Sequence, residues 1–266
     1  MSNTPADYPM KRRRAAALVI AVSLGFAAAL SHTAPNAQES QGMTHTQITP
    51  PSATEILTAR QQAIVPIAAF AAIGDISNLS TALNQGLDAG LTVSDAKEIL
   101  VQLYAYAGFP RSLNALGELM KVLDARKRRG IEEAKGRAPS RPIPTGGALL
   151  TAGTSNQAKL SGGPVKGPLF DFAPAIDEYL KTHLFGDIFE RDNLDWQSRE
   201  LATVSMLSAL SGVESQLHAH VRISMNVGLS ASQVRQLVQV LGGSGLPSAA
   251  ERVEEALNKQ LAASAK

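Results

Sequence analysis

The stretch that decides the fold runs from Arg199 to Gly228 and reads RELATVSMLSALSGVESQLHAHVRISMNVG. Arg199-Glu200-Leu201 opens a helix of small residues through Ala209-Leu210. Gly212 breaks it, and a second helix carries Glu214, His220 and Arg222 to Gly228. Two of the chain's five histidines, His218 and His220, lie in that second helix. A looser copy of the pattern occurs earlier without a histidine. Gly212 matches Gly74, Leu217 matches Leu79, and Gly228-Leu229-Ser230 matches Gly90-Leu91-Thr92, all at an offset of 138 residues. Ser230 with Gln233 repeats the helix-capping arrangement of Thr92 with Asp95. Gly245-Leu246-Pro247 matches Gly108-Phe109-Pro110, one residue out of step. A fixed offset of this kind predicts two copies of one helical unit in a single chain.

Composition agrees with a helical protein. Of 266 residues, 44% are hydrophobic but only 5% aromatic, and sheets draw on aromatic and β-branched residues more than helices do. The expected fold class is all-α. Around the two repeats, at residues 53–129 and 169–262, three further segments stand out. Lys11, Arg12, Arg13 and Arg14 precede an uncharged apolar run from Ala15 to Leu30 and then a polar, small-residue stretch, the layout of a secretory signal peptide over residues 1–37. The run is shorter than the ~20 residues of a membrane span, so a retained anchor is the second reading. Residues 38–52 read as a disordered leader, and residues 130–168 as a Pro/Gly-rich connection without secondary structure. In that connection Leu149, Leu150, Leu160 and Val165 are expected to pack on the helical body. Pro66 should kink the first helix or divide it, and a helix is expected over Asp171 to Phe189 with Tyr179 and Phe185 on or near its inner face.

Charge excludes one class of partner. Without residues 1–37 the chain has 21 basic and 22 acidic residues, and it shows no basic stripe with interleaved aromatics, so no nucleic-acid partner is expected. The cluster Arg126 to Arg129 closes a helix, where positive charge suits the dipole. The absence of cysteine removes disulfides, thiolate metal sites and thiol catalysis.

Leu194-Asp195, Arg199, Leu201, Ala209-Leu210, Gly212, Glu214, His220-Val221-Arg222, Asn226 and Gly228-Leu229-Ser230 together resemble the carboxymuconolactone decarboxylase family. In the first half, Tyr106-Ala107-Gly108-Phe109-Pro110 looks like the segment that follows in that family. The resemblance covers residues 53–128 and 170–260. It implies tandem alkylhydroperoxidase D-like domains that self-associate, here as a trimer of two-copy chains. One branch of the family uses a Cys-x-x-Cys pair with an upstream Glu and a His. Here the His corresponds to His220 and the Glu to Glu200, while the cysteine positions fall on Val213 and Gln216, which rules out that peroxidase chemistry.

For the residues themselves, His220 shares a helix face with Val213, Leu217, Ser224 and Val227, and it reads either as a proton carrier or as a core histidine held by a backbone carbonyl. Glu200 reads as its partner or as a first-turn glutamate suited to the helix dipole. Arg199 is a candidate for a substrate carboxylate, or for a bridge to Asp195 or Glu214. Arg222 lies ~160° around the helix from His220 at ~100° per residue, so with His218 it reads as a subunit or repeat contact and only secondarily as a substrate ligand. His218, His220 and Glu214 lack zinc-motif spacing, and no metal or other cofactor is expected. The first copy has Ala82 in place of His220, and the second has Gly242-Gly243-Ser244-Gly245 in place of Tyr104 and Tyr106. This points either to one composite site, with Tyr104, Tyr106 and Arg111 supplied by the first half, or to decay of a redundant copy. The resulting expectation is an exported, cofactor-free enzyme acting on a carboxylated lactone or similar small acid, with no stable membrane association once the signal is removed. The alternative is a non-catalytic oligomer that binds a small molecule or a partner.

Overall fold

The computed structural model describes residues 56–265; the signal-like segment 1–37 and the leader 38–52 lie outside the described residues. Among the described residues the regular structure is entirely helical, as expected. Each helix start has a local cause. Thr58 caps α1 (Ala59–Ile73) in a box with Gln61, and Asp75 caps α2 (Ile76–Asp88) through the Asn78 amide. Thr92 caps α3 (Val93–Gln102) in a box with Asp95. α4 spans Tyr104–Arg128, but Gly108 departs from helical geometry at φ 80° and ψ 162°, so its first turn stands apart from the straight body that follows.

In the second half Asp195 caps α8 (Trp196–Ala209), α9 spans Glu214–Asn226, and Ser230 with Gln233 boxes α10 (Ala231–Gly243). α11 spans Pro247–Ser264. The starts of α8, α9 and α10 follow those of α1, α2 and α3 by 137 or 138 residues. The core is built where α1 lies against α8. Both helices are buried almost without a break, over Ile64–Ala72 and Ser198–Ser208 respectively. Of the kink or division expected at Pro66, the division does not occur: α1 continues through it as one helix.

The connection departs from the expectation of no secondary structure. Its residues 134–137 run along the start of α3, where the Val93 and Ser94 amides donate to the carbonyls of Ala134 and Lys135 at 3.0 Å each. Gly136 is obligatory there: its φ is 73°, and a Cβ would stand 2.2 Å from Thr92 Oγ1. Farther on, Gly147–Ser161 forms α5. Seven of its fifteen residues are Gly, Thr, Ser or Asn, which weaken its helical preference, and tertiary contacts add to what propensity supplies. Asn156 Nδ2 donates to the Phe185 carbonyl at 2.9 Å and to Glu190 at 2.7 Å. Leu160 is fully buried, Leu149 and Val165 are half-buried, and Leu150 is exposed.

The single helix expected over Asp171 to Phe189 is instead α6 (Pro168–Phe172), α7 (Pro174–Tyr179) and a π-helical segment, Leu180–Ile188. Pro174 separates the first two. α5 lies against the π-helical segment so closely that a Cβ at Gly153 would meet the Lys181 carbonyl oxygen at 1.7 Å. Phe185 is buried there as expected, but Tyr179 is 57% exposed.

Candidate active site

Asp195 fixes the start of α8 through the Ser198 amide at 2.8 Å, which carries Glu200 past the first turn and into the core. Its side chain is completely buried. An isolated buried carboxylate would be very costly, and a histidine from α9 relieves it: His220 Nδ1 lies 2.9 Å from Glu200 Oε2. His220 is 8% exposed, and its helix buries Leu217, Val221, Ile223 and Ser224 around it. It is therefore tied to a carboxylate and not to a backbone carbonyl. A carboxylate accepting from Nδ1 places that ring proton and leaves Nε2 to exchange protons with a reactant.

The first half contributes Tyr106. Its ring meets the His220 ring edge-on, with centroids 5.6 Å apart and planes at 83°. Gly108 makes this possible by turning the chain directly after the short helical turn that carries Tyr106. Burial, and then the Glu200 carboxylate, push the Tyr106 hydroxyl well above its ordinary range, so it stays protonated. Tyr106 Oη, Glu200 Oε1 and Arg199 Nε are all buried without a hydrogen-bond partner. Unused hydrogen-bonding capacity of this kind calls for an explanation in a native fold. The dyad's wall continues into an apolar cluster of Leu160, Leu184, Phe185, Ile188, Phe189 and Ile223, against which Tyr104 and Tyr106 pack. Leu160 comes from the connection, where its apolar character already pointed to packing on the helical body.

The remaining candidates are placed elsewhere. Arg199 is fully buried, and neither Asp195 nor Glu214 is its partner. Its guanidinium donates to Glu98 at 3.0 Å, to Gln102 at 3.2 Å and to the Arg191 carbonyl at 2.8 Å. It ties the halves together and is not open to a substrate carboxylate. Arg111 donates to the Ile73 carbonyl and covers Gly74, thereby finishing the end of α1. Arg222 donates to the Ser161 carbonyl at 2.9 Å, so its contact is with α5 and not with another repeat. Tyr104 stacks on Phe109 at 4.6 Å and not on His220. His218 lines a separate surface groove with Glu214 and Arg252. No cluster of three or more metal-ligating side chains occurs among the described residues.

Glu200 and His220 both fall inside the part of the chain that resembles known proteins. Residues 174–258 match the carboxymuconolactone decarboxylase family. The matched segment begins in α7 and ends in α11. A 96-residue alignment with the 4-carboxymuconolactone decarboxylase of Acinetobacter baylyi is 27% identical and covers 35% of this chain and 71% of that protein. The carboxymuconolactone decarboxylase-like segment thus supplies the buried dyad, and Tyr106 reaches it from outside the matched residues.

Proposed function

We propose that this chain is a decarboxylase-like enzyme that moves a proton on a carboxylated lactone or a similar small acid without a cofactor, with His220 as the proton carrier and Glu200 holding it. The observation that carries the reading is the buried 2.9 Å contact between His220 Nδ1 and Glu200 Oε2 within the family-matched segment. In such a reaction the bond from carbon to carboxylate breaks as CO2 leaves, its electron pair stays on the substrate, and His220 returns a proton to carbon from Nε2. Glu200 stabilises the imidazolium that donates it. Tyr106 packs its ring edge-on against that imidazole.

The matching offsets of helices, caps and turns support descent of the two halves from one duplicated unit, and three such chains would form a six-unit ring. Light scattering that finds only monomer at micromolar concentration would refute the ring. Export follows from the basic flank and apolar run of residues 1–37. N-terminal sequencing of protein from the native host tests it, and an intact Met1 would contradict it.

One observation favours the second reading, a binding protein that has lost its reaction. None of Arg199, Arg111 and Arg222 is placed beside His220 to receive a substrate carboxylate, since each donates to another part of the chain. The deciding experiment is to incubate the purified protein with 4-carboxymuconolactone and follow CO2 release. Turnover that falls roughly 100-fold to 10,000-fold in His220→Ala supports the enzyme. Absence of turnover in the unaltered protein, on this lactone and on related carboxylated lactones, leaves the binding protein in its place.

A further inference from the structure

A cavity of about 580 Å³ lies apart from the His220 dyad between α3, the body of α4 and residues 135–139 of the connection. Its floor is apolar, with Leu116, Leu119, Met120 and Leu123 of α4 facing Val101 of α3. Its charge is not balanced. Glu98 is already held by Arg191 at 2.6 Å and by Arg199 at 3.0 Å, and Arg137 is paired with Asp192. Lys97 and Lys135 remain at the rim with no carboxylate partner among the described residues.

A third feature lies deeper. Asn193 lines the same cavity, is 5% exposed, and leaves Oδ1 buried without a partner. The orientation of that amide follows from its neighbours. Ser94 Oγ donates its proton to the Arg137 carbonyl at 2.6 Å and must therefore accept from Asn193 Nδ2 at 3.1 Å. The unsatisfied atom is thus the carbonyl oxygen, and it needs a donor. A buried acceptor left in this condition is unfavourable, and a ligand hydroxyl would relieve it.

We infer that this cavity binds a small amphipathic hydroxy acid, with its carboxylate at Lys97 and Lys135, its apolar body along Leu116, Leu119 and Met120, and its hydroxyl donated to Asn193. The volume lies within the range of small-molecule sites, and an apolar wall with a few convergent polar groups is their usual character. The inference does not depend on the reaction proposed for His220, because none of the residues it uses belongs to that site.

Calorimetric titration of the purified chain with α-hydroxyoctanoate, octanoate and octylammonium tests it. Saturable binding of α-hydroxyoctanoate is expected, with octanoate about tenfold weaker for want of the hydroxyl and octylammonium not bound. Joint reversal of the exposed rim charges, Lys97→Glu with Lys135→Glu, should weaken α-hydroxyoctanoate at least about tenfold, whereas Lys259→Glu, a charge reversal in another groove, should not. The inference is overturned by an absence of saturable binding at millimolar concentration, by octylammonium binding as tightly as the acids, or by an affinity unchanged in the rim variant. It is equally overturned if Met120→Asp dissociates an oligomer in light scattering, since the cavity would then be an interface between copies.

Discussion

Tyr106 of the first half presents its ring edge-on to His220 of the second, with the centroids 5.6 Å apart. The ring and the hydroxyl make different contributions. Removing the ring in Tyr106→Ala should destabilise the protein by about 3 kcal/mol, at the low end for loss of a packed aromatic. Removing only a buried hydroxyl that lacks a partner, in Tyr106→Phe, should change stability by less than about 1 kcal/mol. Urea unfolding of both variants measures this. If Tyr106 acts through the packing of its ring on His220, Tyr106→Phe should also keep whatever activity Tyr106→Ala loses.

Glu98 joins two arginines, Arg191 and Arg199, and Arg199 is fully buried. Glu98→Gln would leave the Arg199 guanidinium buried without its counter-charge, at a cost of about 3 to 5 kcal/mol. Arg199→Lys should not rescue the arrangement, because one ammonium cannot reach Glu98, Gln102 and the Arg191 carbonyl together. Chemical denaturation tests both variants, and a loss under about 1 kcal/mol in Glu98→Gln would contradict the role assigned to the pair.

The same carboxylate sets an acid response. Burial alone would raise its pKa, but hydrogen bonds from Arg191, Asn193 and Arg199 and the charge of Arg199 hold it at about 2, below the ordinary 4.5. A group depressed on folding stabilises the native state fully above its unfolded pKa and loses that contribution as pH falls to the folded value. The unaltered protein should therefore lose stability between pH 4.5 and about 2, and Glu98→Gln should show a flatter profile over that window. Thermal melts followed by circular dichroism across the window check the difference.

Gly153 is fixed by the close approach of α5 to the π-helical segment, since a Cβ there would meet the Lys181 carbonyl oxygen. In an exposed helix Gly→Ala would stabilise by about 1 kcal/mol. At Gly153 the sign should reverse, and the strain should push α5 away from Phe185 and Leu184. Greater protease cleavage within residues 147–161 of Gly153→Ala, at unchanged global helicity, is the expected result.

Much of the fold was legible because its signals are local. The boxes of Thr92 with Asp95 and Ser230 with Gln233 are four-residue patterns that hold whatever lies beyond them. The union of Glu200 with His220 was also within reach, because the two residues are only 20 apart, on consecutive helices. Arg199 was misread because its partner Glu98 stands 101 positions away and nothing nearby in sequence points to it. α5 escaped notice for a related reason: its Gly, Thr, Ser and Asn residues carry little helical preference, and the Asn156 contacts that hold it are made to a distant segment. The π-helical turns over Leu180–Ile188 leave no periodic mark that distinguishes them from an α-helix in so short a run.

The Arg199–Glu98 pair also bears on how this chain can change over time. The two positions belong to opposite halves, yet neither tolerates replacement while the other stays as it is, because a lone buried charge is worse than either a pair or a neutral core. Drift at one site is therefore vetoed until its counterpart moves in the same step. A gene encoding only residues 169–262 would inherit a guanidinium without its counter-ion and a histidine without its aromatic neighbour. Exchanging either side of this pair alone should therefore cost stability that a matched exchange of both would keep.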